Sequence, residues 1–198
     1  MEETLKEMEE YAEENNIPIM QKRGINFLCK FIEKNEIKTI LEIGTAIGYS
    51  SIKMALTNKN VHIVSVERDH ERYIEALKNI KKMKLEKRIT LILGDALNID
   101  LSDKYDMLFI DGAKSQYTNF FEKYEKNLKE DGIIVSDNMD FHGLVNEIDK
   151  IENRNLRQLV TKIKKYREFL ENNDKYITKF YKVGDGIAIT YRKDLSNE

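Results

Sequence analysis

The sequence predicts an α/β fold: a doubly wound, mostly parallel seven-stranded sheet that ends in an antiparallel hairpin. Three observations predict it. Five short aliphatic runs punctuate the first two thirds of the chain, helical periodicities separate them, and two further runs in the last third flank a pair of glycines. The five runs are Thr39 to Ile43, Val61 to Val66, Ile89 to Leu93, Met107 to Ile110 and Ile133 to Ser136. Each is of strand length and apolar almost throughout, as expected of parallel strands covered on both faces. Between the second and third, Tyr73, Ala76, Leu77 and Ile80 fall at i, i+3, i+4 and i+7, the stripe of a helix expected over residues 70–83. Strand and helix alternating in this way build right-handed βαβ units and an open sheet. Leu156, Leu159, Val160, Ile163, Tyr166 and Leu170 predict a long helix occupying much of residues 144–172. Tyr176 to Val183 and Ile187 to Tyr191 then flank Gly184-Asp185-Gly186, a turn whose glycines can take positive φ.

At 198 residues, 41% of them hydrophobic, the chain can bury a sizeable core, and one domain is expected over residues 1–198. Residues 1–35 form an N-terminal helical extension of it, with the single proline, Pro18, ahead of the first strand. A net charge of −2 excludes a histone-like basic binder, so any charge-driven partner must use a local patch. No apolar run approaches the roughly 18 residues that span a bilayer, and the start Met1-Glu2-Glu3-Thr4 has no signal-peptide character. A cytoplasmic protein with no membrane partner is expected. Cys29 is the only cysteine, which excludes an intrachain disulfide, and it is read as a small buried apolar residue.

The first strand runs into Glu42-Ile43-Gly44-Thr45-Ala46-Ile47-Gly48-Tyr49-Ser50, a glycine-containing turn at a strand's carboxyl end, where open α/β sheets bind ligands. Gly44 and Gly48 stand four apart, and no glycine follows Gly44 by two, so the dinucleotide fingerprint is absent and a pyrophosphate cradle is disfavoured. Glu67, closing the second strand, is placed to accept two ribose hydroxyls, and Asp95 in Gly94-Asp95-Ala96 to reach an adenine amino group. Glu42 adds a negative group near a cationic part of the ligand. S-adenosylmethionine, a cationic nucleoside without phosphate, fits this set. Asp69 is read as the N-cap of the following helix, outside the site.

The fourth strand ends Phe109-Ile110-Asp111-Gly112-Ala113-Lys114 and the fifth Val135-Ser136-Asp137-Asn138. Asp111, Asp137 and Asn138 supply two carboxylates and an amide carbonyl at one sheet edge, a hard-oxygen set suited to Mg²⁺ or Mn²⁺ with positions left open for substrate. Lys114, three residues beyond Asp111, is the expected base toward a substrate oxygen held there.

Leu41 to Ser50, Phe109 to Tyr117 and Ser136-Asp137-Asn138 resemble the metal-dependent class I O-methyltransferases of the catechol and caffeoyl-CoA type. Within that group the chain is most similar to bacterial tRNA 5-hydroxyuridine methyltransferases. That similarity rests additionally on Ile17-Pro18-Ile19-Met20, Asn119-Phe120-Phe121, Gly143-Leu144-Val145 and Val183 to Ala188, and it extends from about residue 9 to residue 191. The resemblance implies the Rossmann-like class I methyltransferase fold. It gives Asp111, Asp137 and Asn138 as metal ligands, Lys114 as catalytic base, and Met20, Glu42, Gly44, Ser50, Glu67, Asp95 and Asp111 as cofactor contacts. It also implies a homodimer and a tRNA substrate, methylated at the wobble position to 5-methoxyuridine. Family members often carry a further helical segment before the stretch matching Glu10 to Met20, and this chain does not hold the whole of it. The uracil substrate has its own chemical logic: in 5-hydroxyuracil the hydroxyl adjoins the C4 carbonyl, so two oxygens can chelate one metal as a catechol does.

Charge is polarised along the chain. Residues 2–14 contain seven glutamates against Lys6, whereas residues 150–167 contain seven lysines and arginines against Glu152. Arg154, Arg157, Lys164 and Lys165 oppose the apolar stripe and form either a solvated helix face or a phosphate-contacting one. With no tryptophan, base stacking would fall to Tyr, Phe or His, and Phe141 and His142 lie nearest the metal ligands in sequence. His142 is read as a loop residue, His62 and His70 as strand and helix residues. The competing readings are a methyltransferase of a small catechol-like or caffeoyl-CoA-type phenol, a nucleotide-binding oxidoreductase disfavoured by the glycine spacing, and a non-catalytic RNA-binding protein. The last has no use for a base beside a metal.

Overall fold

The computed structural model describes residues 1–193; of the single domain expected over 1–198, the last five residues lie outside the described part. Seven strands form one sheet: β1 (Thr39–Ile43), β2 (His62–Glu67), β3 (Ile89–Leu93), β4 (Tyr105–Ile110), β5 (Leu128–Ser136), β6 (Tyr176–Tyr181) and β7 (Ile187–Arg192). Their order is β3-β2-β1-β4-β5-β7-β6, with β7 and β6 antiparallel to the rest. The chain starts at β1, winds outward to β3, and returns across β1 to β4, so the β1/β4 boundary is the switch point where such sheets open a crevice.

Six α-helices cover the two faces. α1 (Glu2–Glu14), α2 (Lys22–Lys34), α3 (Tyr49–Thr57) and α4 (His70–Lys82) bury Met8, Leu28, Ile52 and Ile80 against Ile40, Met107, Phe109 and Val135. α5 (Tyr117–Tyr124) and α6 (Arg154–Glu171) bury Phe121, Tyr124, Tyr166 and Leu170 against Leu41, Leu108, Ile110 and Ile134. Neighbouring strand residues thus serve opposite faces, which is why the strands read as continuous apolar runs.

The structure departs from the sequence reading at residues 144–153, at Leu77 and at Cys29, and β5 begins at Leu128 rather than at Ile133. Residues 144–153 are not part of the long helix. Leu144–Asn146 and Ile148–Lys150 form two short 3₁₀ turns, and α6 begins only at Arg154, where the Asn153 side chain caps the Leu156 N–H at 3.0 Å. Val145 and Ile151 keep the apolar spacing because they pack against Val160 and Ile163 in a small cluster of their own. Leu77, assigned to the buried stripe of α4, is exposed, whereas Ala76 and Ile80 are buried. Cys29 is half-buried rather than buried; its thiol donates to Lys53 O at 3.5 Å, and burial pushes its ionisation up to about 11.

The acidic α1 is tied to the body of the protein by ion pairs. Glu9 accepts from Tyr49 Oη at 2.7 Å and pairs with Lys22 at 2.6 Å, and Glu7 pairs with Lys82. Among the described residues no helix is long and apolar enough to cross a membrane.

Candidate active site

Strand register assembles the site. Ile43 pairs with Val66 on one side and Ile110 on the other, Glu67 pairs with Leu93, and Ile110 pairs with Ser136. The residues that close or follow each strand therefore stand side by side along one edge: Gly94 after β3, Glu67 at the end of β2, Gly44 after β1, Asp111 after β4 and Asp137 after β5. A Cβ at Gly44 would lie 2.6 Å from Asp111 O, and its φ is +102°, so only glycine lets the β1 and β4 ends approach this closely. This edge opens into a cavity of about 260 Å³ lined by Met20, Gly44, Ser50, Glu67, Asp95, Asp111, Lys114, Asp137 and Asn138, together with Arg72 and Phe120. Nine of the ten residues predicted from sequence thus line one cleft.

Glu42 is the exception. It is absent from the cleft lining and fully buried, because its position in β1 turns it, like Ile40, toward α2 and α3. Three hydroxyls meet its carboxylate there: Ser65, its cross-strand partner, at 2.6 Å, and Ser50 and Ser51 at the start of α3. Burial pushes its carboxyl up to about 7. Glu42 therefore braces the glycine turn from beneath. Ser50 lines the cleft, but its hydroxyl is directed to Glu42.

At the cofactor half, Glu67 is buried and holds the loops on both sides: Oε2 accepts the Ala46 N–H at 2.7 Å and Oε1 the Asp69 N–H at 2.8 Å. A carboxylate offers about four lone-pair sites, so acceptor capacity remains for ribose hydroxyls. Asp95 accepts the Leu97 N–H at 2.9 Å at the cleft rim, and Asp69 caps α4 through the Arg72 N–H, as expected.

At the other half Asp111 and Asp137 stand on adjacent strand ends. Burial is the main cause that raises both carboxyls, Asp111 to about 7 and Asp137 well above the ordinary carboxylate range; Lys114 opposes the rise, the Glu42 and Asp185 charges add to it at Asp111, and the Asp111 and Asp185 charges add to it at Asp137. Asp137 Oδ1 is buried with no hydrogen-bond partner among the described residues. Asn138 adds an amide in a left-handed conformation, φ 61°. Among the described residues no group of three or more His, Cys, Asp or Glu side chains is arranged to hold a metal. The oxygen set here is two carboxylates and one carboxamide.

Two buried groups were not identified from sequence. Tyr117 is fully buried at the start of α5, its hydroxyl unpartnered, and burial and then the Asp111 and Asp137 charges drive its ionisation far up. Asp185, assigned only to the hairpin turn, is buried, accepts the Asn138 Nδ2–H at 3.1 Å, and accepts the His142 N–H at 2.5 Å. Sheet order is the signal that finds it. β7 runs antiparallel to β5, so the turn before β7 must lie at the ligand edge of the parallel strands.

The chain is similar to known methyltransferases along its described length. A family model described as O-methyltransferase matches residues 1–193. The chain is 30% identical over 181 residues to a caffeoyl-CoA O-methyltransferase of Stellaria longipes, covering 85% of this chain and 72% of that one. It is 32% identical over 120 residues to a catechol O-methyltransferase of Niastella koreensis, covering 57% of this chain and 54% of that one. A Staphylococcus aureus structure, provisionally named caffeoyl-CoA O-methyltransferase, superposes with a TM-score of 0.90 at 37% identity, covering 96% of this chain and 92% of that one. An O-methyltransferase from Bacillus cereus, crystallised in complex with SAH, superposes with a TM-score of 0.81 at 25% identity, covering 96% and 91%. The chain belongs to the S-adenosylmethionine-dependent class I O-methyltransferase family.

Proposed function

We propose that the protein is a metal-dependent O-methyltransferase whose acceptor presents two adjacent oxygens on an aromatic or uracil ring. The observation that carries this reading is the unpartnered, buried Asp137 Oδ1 beside the half-buried Asp111. Two carboxylates that repel each other out of water, one with an oxygen left without a donor, fit a divalent cation. Asp111, Asp137 and Asn138 would hold it through hard oxygens, which suits Mg²⁺ or Mn²⁺. When bound, the ion supplies Lewis-acid stabilisation of the acceptor's ionised oxygen.

The chain's own residues do the rest. Glu67 and Asp95, which line one end of the cleft, would hold the nucleoside of S-adenosylmethionine through its ribose hydroxyls and adenine amino group, and the cofactor would supply the methyl group. Lys114 lines the cleft beside Asp111 and takes the proton from the acceptor hydroxyl as the oxygen attacks the methyl carbon. The carbon–sulfur bond breaks as the carbon–oxygen bond forms, leaving the demethylated cofactor. Phe141 and His142 pack together with ring centroids 5.4 Å apart, and Lys114 Nζ stands 6.0 Å from the Phe141 centroid, so the proposed base has an aromatic ring as its neighbour.

The curated relatives' names favour a catechol-like or caffeoyl-CoA-type phenol as the acceptor. A specific observation favours a second acceptor, 5-hydroxyuridine at the wobble position of tRNA. α6 packs against the Lys114–Gln116 turn and exposes Arg154, Lys164 and Lys165, cations that a small phenol does not require. Homodimeric association belongs to the same reading. Incubation with S-adenosylmethionine and Mg²⁺ tests the choice: a catechol or caffeoyl-CoA is offered against tRNA containing 5-hydroxyuridine, and the methylated product is identified by mass spectrometry.

A further inference from the structure

We propose that Asp185 is a positioning residue of the site: its carboxylate turns the Asn138 carboxamide so that Oδ1 faces the cleft as the third hard oxygen. This rests on the divalent-ion reading above. The chemistry of the pair dictates the orientation. An ionised carboxylate only accepts hydrogen bonds, so the amide edge facing Asp185 Oδ2 at 3.1 Å must be the NH₂, and the amide oxygen is left on the other side. Without such a partner a carboxamide can present NH₂ or oxygen to the cleft, and only the oxygen ligates a cation.

The surrounding backbone holds this arrangement. Met139 N–H donates to Gly186 O at 2.9 Å and Asp140 N–H to Asp185 O at 2.9 Å, which fastens the ligand loop to the β6–β7 turn. Gly186 has φ +86°, and a Cβ there would lie 2.6 Å from Asp140 N, so the two backbones meet at the contact limit. Asn138, Phe141 and His142 take positive φ of 61°, 43° and 57°, a costly run that persists because its surroundings fix it. Arg167 adds a hydrogen bond to Met139 O at 3.0 Å from α6.

A neutral side chain could have anchored this loop. Asp185 also faces the His142 Nδ1 at 3.3 Å, but its carboxylate adds repulsion at both Asp111 and Asp137, which a bound cation would offset. Outer partners of metal ligands act in this way, fixing orientation and raising affinity, and their loss typically costs about 10- to 100-fold in metal binding.

The test measures Mn²⁺ affinity by electron paramagnetic resonance, SAH affinity by calorimetry, and the melting temperature, on wild type, Asp185→Asn, and the exchanged pair Asn138→Asp with Asp185→Asn. The isosteric Asp185→Asn is expected to weaken Mn²⁺ binding by about 10-fold or more with SAH binding unchanged. The exchanged pair keeps one donor, one acceptor and one charge, and is expected to recover most of the Mn²⁺ affinity. Wild-type Mn²⁺ affinity in Asp185→Asn overturns the role of Asp185 alone. A joint loss of melting temperature and SAH binding, not recovered by the exchange, also overturns it, in favour of a structural anchor. Failure of the wild type itself to bind Mn²⁺ overturns the divalent-ion reading and the positioning role with it.

Discussion

Glu67 Oε2 accepts the backbone N–H of Ala46 at 2.7 Å, so the carboxylate that closes β2 also grips the glycine turn that follows β1. One side chain thereby couples two strand ends that both line the cofactor half of the cleft. Glu67→Ala removes the ribose acceptor and loosens the turn together. It is expected to weaken SAH binding by about 10-fold or more, as loss of hydrogen bonds to a charged group implies. Glu67→Gln, which can still accept at one oxygen, is expected to fall between Ala and wild type. Calorimetric titration with SAH checks the order.

Glu42 gives a pH signature. Its carboxyl is raised by burial from the ordinary 4.5 to about 7, so the folded state holds a proton that the unfolded state has released between those values. The sign follows from linkage: the contribution to stability is fully present below about 4.5, and it is lost as pH rises through about 7. A shift of this size is worth ~3 kcal/mol. Glu42→Gln cannot titrate, so the difference in melting temperature between variant and wild type is expected to move in the variant's favour from pH 5 to pH 8. A pH-independent difference would show that the three serine hydroxyls fully stabilise the ionised form.

Lys114 is the proton acceptor in the proposed chemistry. Lys114→Ala is expected to lower single-turnover methyl transfer by roughly 10²-fold or more while SAH affinity stays intact, the scale for loss of a general base. Near-normal single-turnover rates in this variant would remove the assignment.

The basic face of α6 distinguishes the acceptors. Arg157 is exposed on the same helix, but its guanidinium also donates to Ile151 O and closes the turn before the helix, so it is left unchanged in the variant. The variant combining Arg154→Glu, Lys164→Glu and Lys165→Glu is expected to weaken tRNA binding and flatten its salt dependence, with catechol methylation unchanged. Equal tRNA affinity in filter-binding titrations would reject this docking face.

The strands and the acids that follow them were legible from sequence because parallel strands read as apolar runs and their carboxyl ends carry the polar residues. Asp111, Asp137 and Glu67 are found by that rule alone. Glu42 escaped it for a reason of parity: lying before the strand's last residue, it faces a helix layer rather than the edge, among serines that are distant in sequence. Asp185 escaped because its role depends on sheet order, which brings a local turn against a loop 47 residues away. Residues 144–153 kept a helical spacing of apolar side chains although 3₁₀ turns carry them, since periodicity records which residues are buried and not the backbone that buries them.

The most direct test of the proposed chemistry is methyl transfer from S-adenosylmethionine to an acceptor with two adjacent ring oxygens, compared with the analogue lacking one oxygen, before and after EDTA. Transfer to the two-oxygen acceptor is expected to stop on chelation and return with Mg²⁺ or Mn²⁺, with the one-oxygen analogue methylated far more slowly throughout. Full activity in EDTA, or equal rates on both acceptors, would contradict a reaction organised by Asp111, Asp137 and Asn138.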